Sequence, residues 1–245
     1  MSDENVRALL LDIEGTTTPV EFVYEVLFPF ARRHVEQFVH ERRGSAEVRA
    51  DIEGLRAEHR AEVEKGDQPP QWREDSAGSE SESALGYVRW LMDRDRKSTA
   101  LKSLQGKVWE AGYLSGRLRG EVYPDVPPAF ARWREQGRGI YIFSSGSVLA
   151  QKLLFGHTTV GDLTGYISGY FDTNTGSKTS ADSYRSICAG MRLPAAEVLF
   201  ISDVSAELSA AREAGLRTAL CVRPGAIETE SATHQMVRTF DAIFP

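Results

Sequence analysis

The chain has 245 residues, 41% of them hydrophobic and 26% charged, which is ordinary for a globular protein and excludes disordered and fibrous classes. With 29 basic against 35 acidic side chains the formal charge is −6, so the basic footprint of a nucleic-acid binder is missing, while local charge still allows a small anionic substrate. The two cysteines, Cys188 and Cys221, lie in apolar stretches with no Cys or His at ligand spacing and read as reduced packing thiols, not a zinc or redox site.

The acidic start, Met1-Ser-Asp-Glu-Asn, precedes only a short apolar run, unlike a signal peptide, and no stretch approaches the ~18 apolar residues that span a bilayer. A soluble cytoplasmic protein with no membrane partner is the expectation. The first apolar run, Ala8 to Leu11, has the length and continuity of a strand buried on both faces. Residues 19–120 then show helical periodicity over Phe22–Val39, Glu47–Glu64 and Ser83–Ala111, interrupted by a Pro-, Ser-, Gly- and acid-rich stretch, Gly66–Glu82, that reads as an exposed loop. Three more buried-strand runs follow, Ile140–Phe143, Val198–Ile201 and Thr218–Val222. Helical patterns over Pro127–Gln136, Ser180–Ala189 and Ala206–Ala214 stand among them, ending at Gly137, Gly190 and Gly215. This alternation predicts an α/β fold with a parallel sheet and crossover helices.

The polar residues cluster where the strands end. Run one leads into Asp12-Ile13-Glu14-Gly15-Thr16-Thr17, run two into Ser144-Ser145-Gly146-Ser147, and run three into Ser202-Asp203-Val204. Open parallel sheets bind ligands outside the carboxyl ends of their strands, so these three clusters are expected to converge. Two carboxylates separated by one residue, hydroxyls beside a glycine and a third carboxylate suit phosphoryl transfer with a hard divalent cation such as Mg²⁺. A carboxylate can also be the nucleophile, forming an aspartyl-phosphate. Lys178, in Gly176-Ser177-Lys178-Thr179 ahead of a helical pattern, supplies the cation that phosphate requires.

In this order the segments resemble the haloacid dehalogenase superfamily of phosphatases. Within it, they resemble the bifunctional enolase-phosphatases of methionine salvage. Glu14 stands where most relatives carry a second Asp, and Leu101–Trp109, Gly112-Tyr113 and Tyr123-Pro124-Asp125-Val126 are similar to that family's segment leading from cap to core. The resemblance implies a doubly wound core, residues 1–18 and 121–245, with an inserted helical cap, 19–120, that closes over the core to exclude water and choose the substrate. It implies Asp12 as nucleophile and metal ligand, and Glu14 as acid/base with its carbonyl on Mg²⁺. Ser144 and the backbone of Ser145 would bind phosphate, Lys178 would hold phosphate and nucleophile together, and Asp203 would complete the metal shell. Glu207 matches a downstream acidic position that either joins the site or simply caps or solvates its helix. The implied substrate is 2,3-diketo-5-methylthiopentyl-1-phosphate, enolised and then dephosphorylated to 1,2-dihydroxy-3-keto-5-methylthiopentene by a monomer.

Competing signals are weaker. Gly176-Ser177-Lys178-Thr179 has Ser where a P-loop needs the Gly before its Lys, with no Gly five residues before that position, and is not a P-loop. Asp172-x-Asn174-x-Gly176 has Gly where a calcium loop needs a ligand and reads as a turn. His34, His40 and His59 read as surface or packing residues, and Trp90, Trp109 and Tyr113 as the core of the insertion. Two alternatives stay open at this point: a phosphatase of the same superfamily acting on another small phosphorylated metabolite, and a binding module that kept the fold without the catalysis.

Overall fold

Four consecutive apolar side chains leave Ala8–Leu11 no face for solvent, and the segment forms β1, wholly buried at the centre of a six-stranded sheet. The structure is a computed structural model that describes residues 5–225 and 234–245. The other strands are β2 (Gly139–Phe143), β3 (Gly169–Phe171), β4 (Val198–Ser202), β5 (Arg217–Cys221) and β6 (Gln235–Val237). Their order is β3-β2-β1-β4-β5-β6, and every pairing is parallel. Leu11 pairs with Ile142 on one side and Ile201 on the other. Asp12, Phe143 and Ser202 therefore stand at one level at the carboxyl ends of the three central strands, where the strand order reverses and where such sheets open a crevice.

Helices cover the sheet. Tyr184 and Ile187 of α7 (Ala181–Met191) and Leu208 and Ala211 of α8 (Ser205–Glu213) pack with Ala8, Leu10, Val198, Phe200 and Leu220 in one buried cluster. Outside that cluster, α5 (Val126–Glu135) brings the fully buried Phe130 and Trp133 toward β2, and the Phe130 ring lies 6.2 Å from Phe155 of α6 (Val148–Gly156). Fully burying one such aromatic side chain contributes about 1.5–3 kcal/mol.

Several elements depart from the sequence reading. The apolar pattern of α6 runs almost all round the helix, with Gln151 and Lys152 as its only strongly polar members, so it has no amphipathic period to detect. Strands β3 and β6 are three-residue edges, too short for a buried-run signal. Gly137 and Gly215 do adopt positive φ, 75° and 92°, just beyond α5 and α8. Gly190 does not end α7. The helix continues to Met191 and its left-handed position falls on Arg192, φ 57°.

By contact the chain forms two compact units, one of Met1–Val23 with Arg119–Pro245 and one of Tyr24–Leu118. The second is all helical. A π-helical stretch, Phe22–Leu27, enters it, followed by α1 (Phe28–Arg42), α2 (Ala46–Glu64), α3 (Ala77–Asp93) and α4 (Thr99–Leu114). The expected loop 66–82 is shorter than its composition suggests. Ser76 and Ser79 form a reciprocal capping box that starts α3 at Ala77, and Glu80 sits in the first turn, where the helix dipole favours an acid. The single periodic stretch 83–111 is likewise two helices, parted by a turn at Asp95 (φ 47°) and restarted by Ser98, whose hydroxyl accepts the Leu101 N–H at 2.9 Å. Trp90, Trp109 and Tyr113 are buried in this unit, His59 lies against Trp72 and Tyr87, and His34 stacks on Phe30 at 4.1 Å. Among the described residues no helix is long and apolar enough to cross a membrane.

Candidate active site

Beyond β1 the chain turns tightly. Asp12 still belongs to the ladder, its N–H donating to the Ile201 carbonyl at 3.0 Å, and then the N–H groups of Thr16, Thr17 and Thr18 all converge on the Ile13 carbonyl at 2.8–3.2 Å. Gly15 makes the reversal possible at φ +67°. A Cβ on Gly15 would stand 2.2 Å from Asp203 Oδ2, so the turn after β1 and the residue after β4 lie in direct contact only because position 15 has no side chain.

The buried Asp12 carboxylate is held from several sides. Oδ1 accepts the Ile13 N–H at 2.7 Å and pairs with Lys178 Nζ at 2.6 Å, while Oδ2 lies 3.1 Å from the Ser202 hydroxyl. Lys178 Nζ also pairs with Glu207 Oε2 at 2.8 Å, and that same oxygen is 3.0 Å from Ser202 Oγ. Ser202 has one proton for two carboxylates, so it can donate to only one of them at a time. Lys178 is itself fixed from behind, because its carbonyl accepts the Tyr184 hydroxyl at 2.7 Å and the preceding Ser177 carbonyl accepts Ser183 at 2.7 Å, both from the first turn of α7.

The third cluster leaves β2. Ser144 is buried, with its N–H on the Phe171 carbonyl and its hydroxyl accepting the Gly146 N–H at 3.2 Å, whereas Ser145 is exposed. Gln151 of α6 clamps this loop, its amide nitrogen donating to the carbonyls of Gly146 and Phe171, both at 2.8 Å. Asp172 ends β3 as an Asx turn, accepting the Asn174 N–H at 2.9 Å and the Val148 N–H at 3.2 Å, which is the turn expected in place of a calcium loop.

Sequence reasoning thus named Asp12 and Lys178, which touch, and Asp203, whose carboxylate lies against Gly15 of the turn carrying Glu14. Glu207 belongs to the site through Lys178 and does not merely cap α8. Ser202, Gln151 and Gly15 were passed over as site-building residues, although Ser202 and Gly15 stood inside the quoted segments.

Two carboxylates, Asp12 and Glu207, thus pair with the one ammonium, and Glu14 and Asp203 are near enough to feel its charge and that of Asp12. Burial raises the Glu14 carboxyl, with Asp12 and Asp203 adding to the effect and Lys178 opposing it. Burial and then Asp12 push Asp203 up to about 6 and Glu207 up to about 7. For Lys178 burial works against the charge, but the Asp12 and Glu207 carboxylates outweigh it and keep the group an ammonium. Among the described residues no three side chains of His, Cys, Asp or Glu form a ready cage for a metal. The donor set still fits a divalent cation: it is all oxygen, it carries uncompensated negative charge, and a hard ion that keeps several waters needs only one or two carboxylates.

A pH dependence follows. Asp203 and Glu207 bind protons more tightly in the folded protein than in the unfolded chain, so folding of the metal-free protein is favoured as pH falls through about 7 and about 6 and opposed as pH rises through the same window. A divalent cation competes with those protons. The metal-free protein is expected to melt at higher temperature at pH 5.5 than at pH 7.5, and the gain on adding metal to shrink over the same fall in pH. Thermal unfolding with and without metal at several pH values measures both trends, and a metal-free melting temperature that only falls on acidification contradicts the assignment.

Comparison with known proteins extends this geometry. The model of the haloacid dehalogenase-like hydrolase family matches residues 6–215. The chain is 49% identical over 239 residues to the enolase-phosphatase E1 of Synechococcus elongatus, covering 98% of both chains, and 45% identical over 238 residues to that of Erwinia tasmaniensis, covering 97% of this chain and 96% of the other. Among solved structures it resembles the UTR4 protein of Saccharomyces cerevisiae, with a TM-score of 0.78 and 36% identity over 98% of this chain and 100% of that one. CbbY from Rhodobacter sphaeroides, at 16% identity and a TM-score of 0.55, covering 97% of this chain and 96% of that one, shares the fold.

Proposed function

The chain belongs to the haloacid dehalogenase-like hydrolases and, within them, to the enolase-phosphatase family, and on that premise we propose that the Asp12–Lys178–Glu207 cluster with Glu14 and Asp203 is its catalytic centre. The protein is a phosphatase of methionine salvage. It enolises 2,3-diketo-5-methylthiopentyl-1-phosphate and dephosphorylates the enol to 1,2-dihydroxy-3-keto-5-methylthiopentene. The observation that carries the site assignment is the Lys178 ammonium 2.6 Å from Asp12 Oδ1. It places, beside a buried carboxylate at a strand end, the cation that a phosphate ester needs.

In this reading Asp12 attacks phosphorus. A carboxylate oxygen–phosphorus bond forms, the bond to the enol oxygen breaks, and the aspartyl-phosphate remains. Glu14, whose carboxyl is raised by burial and by Asp12, is suited to give the leaving oxygen its proton and then to take one from the water that hydrolyses the intermediate. Lys178 keeps the nucleophile and the phosphoryl oxygens together, and Glu207 and Ser202 hold Lys178 and Asp12 from the protein side. Ser144 and the backbone of Ser145 bind the remaining phosphoryl oxygens. Asp12, Asp203 and the Glu14 carbonyl would hold Mg²⁺, which supplies charge neutralisation at phosphate and Lewis acidity at the carbonyl that enolises. The helical unit, Tyr24–Leu118, serves as the cap that selects the substrate. In this reading the protein acts as a monomer. The free, buried Cys188 and Cys221 are in keeping with the cytoplasm.

Incubation with the diketo phosphate and Mg²⁺, following enol absorbance and free phosphate together, tests this function. The enol is expected to rise before phosphate appears. Phosphate released without any enol, or released equally fast from unrelated phosphomonoesters, would assign the protein to another phosphatase activity.

A further inference from the structure

We propose that Arg223 is a positioning residue for the turn that carries Asp12 and Glu14. It follows β5 and is 5% exposed. Its Nε and Nη2 both donate to the Thr16 carbonyl, at 2.9 and 2.6 Å, and its Nη1 pairs with Asp125 Oδ2 at 2.6 Å. The guanidinium lies over the Tyr123 and Phe240 rings, 4.2 and 4.5 Å from their centroids. Asp125 is tied in turn to the C-terminal segment, accepting the Phe240 N–H at 2.6 Å and the Thr239 hydroxyl at 3.0 Å, while the Tyr123 N–H donates to the Thr17 carbonyl at 3.0 Å. Burial works against the Asp125 charge, yet hydrogen bonds from Arg223 and the Phe240 N–H hold its carboxyl below the usual range.

Within the turn the Thr16, Thr17 and Thr18 N–H groups go to the Ile13 carbonyl, the Gly15 N–H to the Thr18 carbonyl and the Ile13 N–H to Asp12 Oδ1, so none of them serves the carbonyls of Thr16 and Thr17. The surrounding segments take both. A guanidinium suits this place because its planar fork serves one carbonyl with two N–H groups and a carboxylate with a third, which a single ammonium cannot do in the same directions. No contact of Arg223 with Asp12, Glu14, Lys178 or Asp203 is needed for this role. It acts through the backbone, and a shift of about 1 Å in groups at a reacting centre costs on the order of a hundredfold in rate.

This inference rests on the reading that Asp12 and Glu14 carry the chemistry, and one of its readouts is independent of that reading. Arg223→Lys, Asp125→Asn and, as a control, Trp133→Phe are compared with the wild type. Trp133 donates Nε1 to the Ile243 carbonyl in the same C-terminal segment and packs 5.3 Å from the Phe240 ring, so this control loosens that segment while leaving the hydrogen bonds of Arg223 to Thr16 and Asp125 in place. Backbone amide exchange of the peptide spanning residues 12–20 is measured in metal-free protein, and kcat and KM are measured with the diketo phosphate and Mg²⁺, corrected for the folded fraction. In Arg223→Lys, exchange in 12–20 is expected to quicken by about tenfold or more while that of β4 is unchanged, and kcat to fall on the order of a hundredfold with little change in KM. Asp125→Asn, which keeps the guanidinium but loosens its anchor, shifts both in the same direction by about tenfold and decides the matter if Arg223→Lys does not fold. Trp133→Phe lowers the melting temperature with neither change. Wild-type-like exchange in 12–20, or a kcat loss no greater than in Trp133→Phe, overturns the proposal. A wild type inactive on the diketo phosphate overturns the functional reading instead, and the exchange data still judge the clamp.

Discussion

An Asp12→Asn enzyme is expected to lose phosphate release by at least about a thousandfold, because the neutral amide has no charge with which to attack phosphorus and no carboxylate to carry the phosphoryl group. The substitution keeps the volume of the side chain, and an amide oxygen can still accept the Ile13 N–H that Oδ1 accepts at 2.7 Å, so the fold is expected to persist. Enolisation is a different matter. It removes a proton from the carbon bearing the phosphate and needs no covalent bond to Asp12, so a folded Asp12→Asn enzyme shown to bind Mg²⁺ should still accumulate the enol phosphate. Absorbance of the enol, free phosphate and bound metal are read in one sample. Retention of more than a few per cent of phosphate release would remove Asp12 from the nucleophile's role, and absence of enol phosphate with metal bound would mean that Asp12 also takes part in enolisation.

Lys178→Met is expected to damage both stability and rate. Asp12 and Glu207 each lean on the same ammonium, at 2.6 and 2.8 Å, and all three side chains are almost entirely buried. Removing the cation leaves two carboxylates facing each other away from water, and breaking such a buried pair costs about 3–5 kcal/mol. Turnover should fall by about a hundred- to a thousandfold, the usual effect of deleting one group aimed at developing charge. The two losses can be separated. Adding Glu207→Gln removes one of the stranded charges and keeps a partner for Ser202, so the double variant should recover part of the melting temperature and none of the turnover. Turnover of Lys178→Met within about tenfold of wild type would show that the ammonium is there for the carboxylates rather than for phosphate.

Asp12, Glu14, Asp203 and the serines were legible because each stands at the end of a run of apolar residues and the geometry of parallel sheets dictates where strand ends meet, whereas Lys178 stood out only as a cation ahead of a helical pattern. Four of the six strands showed themselves in this way. Edge strands β3 and β6 did not, since three residues carry too little pattern, and α6 did not, since an all-round apolar helix has no contrast between faces. Composition misled at Gly66–Glu82, where serines and acids that deplete a core also cap and start a helix, as Ser76, Ser79 and Glu80 do. At Ser83–Ala111 the helical reading runs across the polar stretch Asp93–Thr99, where no Gly or Pro marks the break and Ser98 caps the second helix.

Local order along the chain was thus enough for the α/β class, the central strands, and the kinds of chemical group at their ends. It could not say which of those groups share a buried volume. Glu207 became part of the site because α8 turns it back onto Lys178, and Arg223 meets Thr16 across 207 positions of sequence. Gly15 is required because Asp203, from another strand, occupies the space a side chain would need. Backbone propensity and hydrophobic period act over a few residues, whereas charge pairing acts wherever folding brings two groups within about 4 Å out of water. Strand order sets those meetings, and only the packed sheet determines it.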